Sequence, residues 1–158
     1  MHILVLCTGN SARSILLEAL LRDLGAGRMT VHSAGSQPAG RVHPGALALL
    51  TERGHDTRDF RSKSWDEFAG TDAPEMDVVI TVCGSAAAET CPLWPGTPLR
   101  GHWGVEDPAA AATKAQDAAF VTAYGILRRR AEAFLAAPVE TMDRAALQAH
   151  LTQIGDLV

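Results

Sequence analysis

Three cysteines, an arginine and an aspartate carry the chemistry that this sequence advertises. Cys7 and Arg13 bracket Thr8-Gly9-Asn10-Ser11-Ala12, and Ser14 follows. The spacing alone is common, but an apolar strand-like run precedes it and a helical pattern follows. A tight loop entering a helix aims several backbone N–H groups at one point, and the helix dipole adds positive character there. Gly9 and Asn10 both tolerate the left-handed backbone that wraps such a loop. Arg13 would return to the cradle and offer an oxyanion a bidentate pair. The same field should lower the thiol pKa of Cys7 and make it a nucleophile at neutral pH. Ser14 can donate its hydroxyl proton to that sulfur. The candidate oxyanion-binding set is therefore Thr8, Gly9, Asn10, Ser11, Ala12, Arg13 and Ser14. The competing reading is a buried Cys7 and an Arg13 in a surface ion pair. No Gly-Lys-Ser/Thr follows, so this is not a nucleotide-binding loop.

The other two cysteines are Cys83 and Cys91. An odd count argues against a disulfide framework, and the seven residues between them exceed the usual spacing of a zinc-ligand pair. Read alone, both fit buried core thiols. The stretch between them, Gly84-Ser85-Ala86-Ala87-Ala88-Glu89-Thr90, could form a short helix and could also unwind. Asp107 precedes Pro108, which fixes the local backbone. It can protonate a departing oxygen as a general acid, or cap a short helix through Ala109 to Ala112.

Such residues act only if the fold gathers them. Residues 2–6 form an apolar run expected as a buried strand. A helix should begin near Arg13, with Leu16, Leu17, Leu20, Leu21 and Leu24 on one side, and stop at Gly25. Met29 to Ser33 is a second strand candidate. Pro44 should open a helix running to Gly54. Asp77 to Val82 is nearly all β-branched and reads as the clearest strand. Leu99 to Trp103 is a fourth. Phe120, Tyr124, Leu127, Ala131 and Phe134 mark one face of a long helix. Asp143 should cap a last helix carrying Leu147, Leu151 and Ile154 and ending at Gly155. Strands alternating with helices imply an α/β fold: an open parallel four-stranded sheet with helices on both faces, in a single domain. Ligands bind beyond the carboxyl ends of such strands. Cys7, Cys83 and Asp107 should all meet there.

The chain has 158 residues, enough for one ordinary domain. With 47% hydrophobic and 20% charged residues it has the balance of a globular core. No run is long enough to span a bilayer, and residues 3–6 lack the features of a signal peptide. A cytoplasmic protein without membrane association is expected. The net charge is -4, with no long basic run beyond Arg128-Arg129-Arg130, so nucleic acid is not an expected partner. An anionic ligand must be held by local groups, because the overall field does not attract it.

The loop around Cys7, the pair Val82-Cys83 followed by Cys91-Pro92, and His102-Trp103-Gly104-Val105-Glu106-Asp107-Pro108 occur in one order. Together they make the sequence resemble the low-molecular-weight tyrosine-phosphatase fold, and within it the phosphatase-like arsenate reductases. The resemblance runs from residue 2 to about 137. It implies a reductase domain over 1–137 and a C-terminal helical extension over 138–158. It also implies a sequence of steps. Arsenate binds in the loop, and Cys7 attacks arsenic. Cys83 then attacks the Cys7 sulfur and arsenite leaves. Cys91 resolves the Cys7–Cys83 disulfide, and a thioredoxin or glutaredoxin-type protein reduces Cys83–Cys91. The catalytic set is thus Cys7, Arg13, Cys83, Cys91 and Asp107. Ala12 stands where some members carry a second loop cysteine, which is not the nucleophile. For His102 a packing or hydrogen-bonding role is expected. Certain members bind a potassium ion near the loop. Asn10, Glu18 and Ser33 match three of its ligand positions, while Ser64 and Asp66 compete for the fourth. No metal and no cofactor is assigned.

Two other functions compete. A phosphatase for phosphotyrosine or small phosphoesters would need only Cys7, Arg13 and Asp107. Against it stand the later cysteines and the scarcity of aromatic residues, Tyr124 being the only tyrosine. A non-catalytic oxyanion or redox sensor would bind without turning over.

Overall fold

The structure, a computed structural model, describes residues 1–89 and 94–157. Four strands, β1 (His2–Leu6), β2 (Thr30–Ala34), β3 (Val78–Thr81) and β4 (Leu99–His102), form one parallel sheet in the order β2-β1-β3-β4. The helices are α1 (Arg13–Leu24), α2 (Pro44–Glu52), α3 (Gly84–Ala88), α4 (Gln116–Leu135) and α5 (Arg144–Gly155). Each element expected from the sequence is present within a residue or two. The 3-10 turn at Trp65–Phe68 was not foreseen, and the helix expected after Asp107 is a single 3-10 turn, Pro108–Ala110.

β1 sits between two neighbours, and Ile3 to Leu6 are completely buried. That explains the absence of alternation in this run: both faces are covered. Ile3, Val5, Val31, Val78 and Ile80 pack in the cluster that includes the apolar sides of α1, α4 and α5. Leu4, Leu6, Ala34 and Val79 pack on the other face against Phe68, Met76 and Trp94. Full burial of one such aliphatic side chain contributes about 1.5–3 kcal/mol.

The last helix belongs to this core. The Asp143 carboxylate caps it by accepting from the Ala146 N–H at 2.8 Å. Leu151 and Ile154 are buried, and the Trp103 indole N–H donates to the Leu151 carbonyl at 3.1 Å. Gly155 is the last helical residue rather than a stop signal. A Cβ there would lie 2.4 Å from the His102 carbonyl oxygen, so only glycine lets the helix approach β4 this closely.

The sheet register carries the chemistry to one edge. Leu6 pairs with Thr81, and Thr81 with His102. Past the strands, Val82 N–H bonds the Leu6 carbonyl, and Val105 N–H bonds the Val82 carbonyl. Cys7, Cys83 and the loop leading to Asp107 therefore leave the sheet side by side. No helix among the described residues is long and apolar enough to cross a membrane.

Candidate active site

The segment from Cys7 to Ser14 wraps between β1 and α1 with three of its carbonyls held from the outside. Thr8 O accepts from Gln37 N, Gly9 O from Ala39 N and from the Ser62 hydroxyl, and Ser11 O from His43 N. With these oxygens turned outward, loop N–H groups other than those of Thr8 and Asn10, which bond Cys83 Sγ and Cys7 O, are left for an anion on the inside. Gly35 permits the fit: a Cβ on it would stand 2.4 Å from Thr8 O and 2.5 Å from Cys7 O.

Of the two residues expected to take the left-handed backbone, only Asn10 does so, with φ of 43°. Gly9 does not; a Cβ on it would meet open space. Three bonds hold Asn10 there. Its amide donates to Ser14 Oγ at 2.8 Å and to Ser33 Oγ at 3.0 Å, and its Oδ1 accepts from Lys63 N–H at 2.9 Å. Asn10 and Ser14 are fully buried. Because Ser14 Oγ accepts from Asn10, its own proton remains free to be donated.

Arg13 opens α1 and turns toward the loop after β4. Its Nη1 donates to the Val105 carbonyl at 3.0 Å, and its Nη2 lies 3.6 Å from Asp107 Oδ2. Its Nε is buried without a hydrogen-bond partner among the described residues. A buried donor of this kind is costly unless an acceptor arrives, which suits a residue waiting for an oxyanion. The other Asp107 oxygen accepts from Ala109 N–H at 3.0 Å. The cap and the position beside Arg13 thus coexist, and the side chain is 40% exposed.

Cys83 lies two residues beyond β3 at the start of α3 and meets the loop directly. Its Sγ accepts from Thr8 N–H and from Ala86 N–H, both at 3.4 Å, and is 3.7 Å from the Thr8 hydroxyl oxygen. Cys7 and Cys83 are both free and buried, and each thiol shifts the ionisation of the other. This pairing reverses one expectation. The hydrogen bond from the Cys7 thiol, with further N–H donors, pulls the Cys83 thiol down to about 5. The same bond raises Cys7 above its ordinary value, burial adds to the rise, and the Arg13 charge opposes it. One loop N–H expected to serve Cys7, that of Thr8, points at Cys83 instead, and this favours the thiolate on Cys83. Cys91 lies outside the described residues.

Several supporting residues carried no sequence signal. The Thr8 hydroxyl donates to the Glu89 carboxylate at 3.0 Å, tying the end of α3 to the loop. Ser62 and Lys63 hold the loop from a segment without regular structure. Only a glycine directly after the second strand hinted at a close approach. His102 makes the expected hydrogen bond, through Nδ1 to the Thr81 hydroxyl at 2.7 Å. The potassium positions do not fit an ion here. Ser64 caps the 3-10 turn by accepting from Asp66 N–H, Asp66 is exposed, and Glu18 is already met by the Arg22 guanidinium at 3.1 Å and the Ser33 hydroxyl at 2.7 Å. A second cation would be repelled.

The profile for "low molecular weight phosphotyrosine protein phosphatase" matches residues 2–148. The chain belongs to the low molecular weight phosphotyrosine protein phosphatase family. Within that family several of the proteins it resembles are named arsenate reductases. An arsenate reductase of Halalkalibacterium halodurans is 38% identical over 106 residues, 67% of this chain and 73% of that protein. A glutaredoxin arsenate reductase of Synechocystis sp. is 32% identical over 134 residues, 85% of this chain and 95% of that protein. Among solved structures, an arsenate reductase in the phosphate binding state superposes with a TM-score of 0.69 at 32% identity, covering 85% of this chain and 96% of that one. A thioredoxin-dependent arsenate reductase of Corynebacterium glutamicum gives 0.58 at 27% identity, covering 81% of this chain and 58% of that one.

Proposed function

We propose that this member of the phosphatase family reduces arsenate to arsenite, using Cys7 as nucleophile and a disulfide relay through Cys83 and Cys91. The observation that carries the reading is Cys83, buried against Cys7 and bonded to the nucleophile loop. Phosphoester hydrolysis has no use for a second sulfur there. The names of the family relatives support the substrate.

The loop N–H groups and Arg13 bind the oxyanion. The Cys7 proton passes along its hydrogen bond to Cys83, and the Arg13 charge stabilises the Cys7 thiolate as it forms. Cys7 attacks arsenic, Asp107 protonates the departing oxygen, and water leaves. Cys83 gives the proton received from Cys7 up to solvent water and, as a thiolate, attacks the Cys7 sulfur. The sulfur–arsenic bond breaks with its electron pair on arsenic, which leaves as arsenite, and a Cys7–Cys83 disulfide remains. Cys91 attacks Cys83, Cys7 leaves as thiolate, and the Cys83–Cys91 disulfide passes to a dithiol protein of the thioredoxin or glutaredoxin type. A reducing compartment, the cytoplasm, fits this cycle. Residues 1–137 would form the reductase domain and 138–158 the extension that covers β4.

The phosphatase alternative gains nothing from the structure. Tyr124 lies on α4, buried and bonded to His55, away from any role in gripping an aromatic ring. The test is arsenate turnover with thioredoxin and glutaredoxin systems, followed by mass spectrometry under non-reducing conditions. Cys91→Ser should complete one turnover and stall with Cys7 linked to Cys83. Cys83→Ser should stall earlier with no such link. If both variants cycle like the wild type, the relay is wrong; if the wild type binds arsenate without turnover, the sensor reading stands.

A further inference from the structure

We propose that Glu89, at the end of α3, is the proton acceptor of the relay: Cys83 sheds its proton to Glu89 through the Thr8 hydroxyl, and Glu89 passes it to solvent. The inference rests on the reading of Cys83 as the sulfur that attacks Cys7.

That attack needs a thiolate, and in the proposed reaction Cys83 has just taken the Cys7 proton. Cys83 is 3% exposed, so the proton needs a carrier to reach water. Two side chains form one. The Thr8 hydroxyl oxygen lies 3.7 Å from Cys83 Sγ, and either atom can be the donor in that contact. The same hydroxyl donates to Glu89 Oε1 at 3.0 Å. A threonine hydroxyl has one proton to give. With that proton on the Glu89 side, the Thr8 oxygen faces Cys83 as an acceptor, and the Cys83 S–H is the donor. The row of S–H, O–H and carboxylate therefore runs one way, from a buried sulfur to a half-buried acid.

Transfer along this row balances without another reactant. The Cys83 S–H bond breaks as Thr8 Oγ takes the proton, and the original Thr8 O–H bond breaks as Glu89 takes that one. Thr8 keeps a hydroxyl, which now donates to the Cys83 thiolate beside the N–H donors of Thr8 and Ala86. Glu89, a neutral acid at that moment, ionises to water. With its thiol pulled down to about 5, Cys83 gives a proton to a carboxylate at little cost. On the loop side the titratable and charged neighbours are Cys7, with Arg13 and Asp107 beyond it. In the proposed reaction all three are engaged with the oxyanion, which leaves Glu89 to receive the proton. Glu89 acts through Thr8 and is a positioning residue, since it sets the direction in which that hydroxyl points.

The experiment places Glu89→Gln, Thr8→Ser and Thr8→Val in Cys91→Ser protein, which should stall with Cys7 linked to Cys83. Glutamine can still accept from Thr8 but cannot take its proton. Arsenate is mixed in without reductant, samples are quenched in acid, and the rate of Cys7–Cys83 formation is read by mass spectrometry from neutral to alkaline pH. Phosphate affinity is measured beside it. Glu89→Gln should slow the step about tenfold or more at neutral pH while binding phosphate as its parent does. Its rate should climb with pH, as hydroxide replaces the missing acceptor, and converge on the parent, whose rate stays flat. Thr8→Ser should keep most of the rate, and Thr8→Val should fall at least as far as Glu89→Gln. A parental rate in Glu89→Gln overturns the proposal. So does a loss that is the same at every pH, or one matched by an equal loss of phosphate affinity. Hydrogen peroxide separates this outcome from the reductase reading. It converts Cys7 to a sulfenic acid, whose oxygen leaves as water when Cys83 attacks. At peroxide levels where the rate no longer rises, the same order of variants is expected. That order, in a wild type that reduces no arsenate, overturns the reductase reading alone. Arsenate reduction with no slowing in Glu89→Gln overturns the Glu89 proposal alone, and a protein that links Cys7 to Cys83 with neither reagent overturns both.

Discussion

Cys7 is pushed up and Cys83 pulled down by their mutual influence, and this opposition sets the behaviour of the site at the scale of single residues. Near neutral pH the pair should carry one thiolate. Because Cys83 is pulled down to about 5, the negative sulfur forms as pH rises through that value and is lost below it. Thiolate absorbance near 240 nm should show that step in the wild type, and Cys83→Ser should abolish it. A step that persists unchanged in Cys83→Ser would assign the low value to Cys7. Cys7→Ser should remove arsenate reduction and any phosphatase activity while leaving the circular dichroism spectrum intact. Arg13→Lys keeps the charge but loses the planar fork, and with it the Nε now buried without a partner. It should slow turnover at least about tenfold, equal to about 1.4 kcal/mol.

At the scale of elements, the nucleophile loop is shaped by a neighbour that contributes no chemistry. The chain leaving β2 passes so close to the loop that Gly35 has no room for a side chain. Gly35→Ala must push backbone against backbone, which typically costs about 1–3 kcal/mol. The displaced carbonyls of Cys7 and Thr8 would also turn the loop N–H groups off target. Urea denaturation should register the first effect and a rise in the dissociation constant for phosphate the second. An unchanged phosphate affinity would show that the loop keeps its shape without this contact. The helices have a comparable tie away from the site. His55, just past α2, is bonded to Asp23 of α1 and to the Tyr124 hydroxyl of α4. Tyr124→Phe should cost about 1 kcal/mol of stability with turnover unaffected.

Across the whole molecule, one core serves both the sheet and the C-terminal helix. Leu151 is fully buried against β4, and Arg130 of α4 bonds both the Leu157 carbonyl and the carbonyl of Gly104, just ahead of the Asp107 loop. Leu151→Ala should destabilise the whole domain by about 2–5 kcal/mol. The unfolding transition should remain single, since nothing separates α5 from the rest of the core; a separate early transition would mark it as an independent appendage.

Element order, the parallel sheet and the meeting of Cys7, Cys83 and Asp107 were legible because each rests on local signals: apolar runs, helix caps and the rule that ligands lie past strand ends. The three motifs in order also carried the family. Tertiary structure alone decided which sulfur receives the N–H donors, since Thr8 N–H and Ala86 N–H meet one of two thiols 76 positions apart only once β1 and β3 pair. It likewise decided that Asn10 and not Gly9 takes the left-handed turn, because the amide partners Ser33 and Lys63 come from distant segments. Lys63 is one of two lysines in the chain, in a polar stretch that reads as surface loop. Nothing local announces its burial, which exists only when that loop closes on β2 and the nucleophile loop.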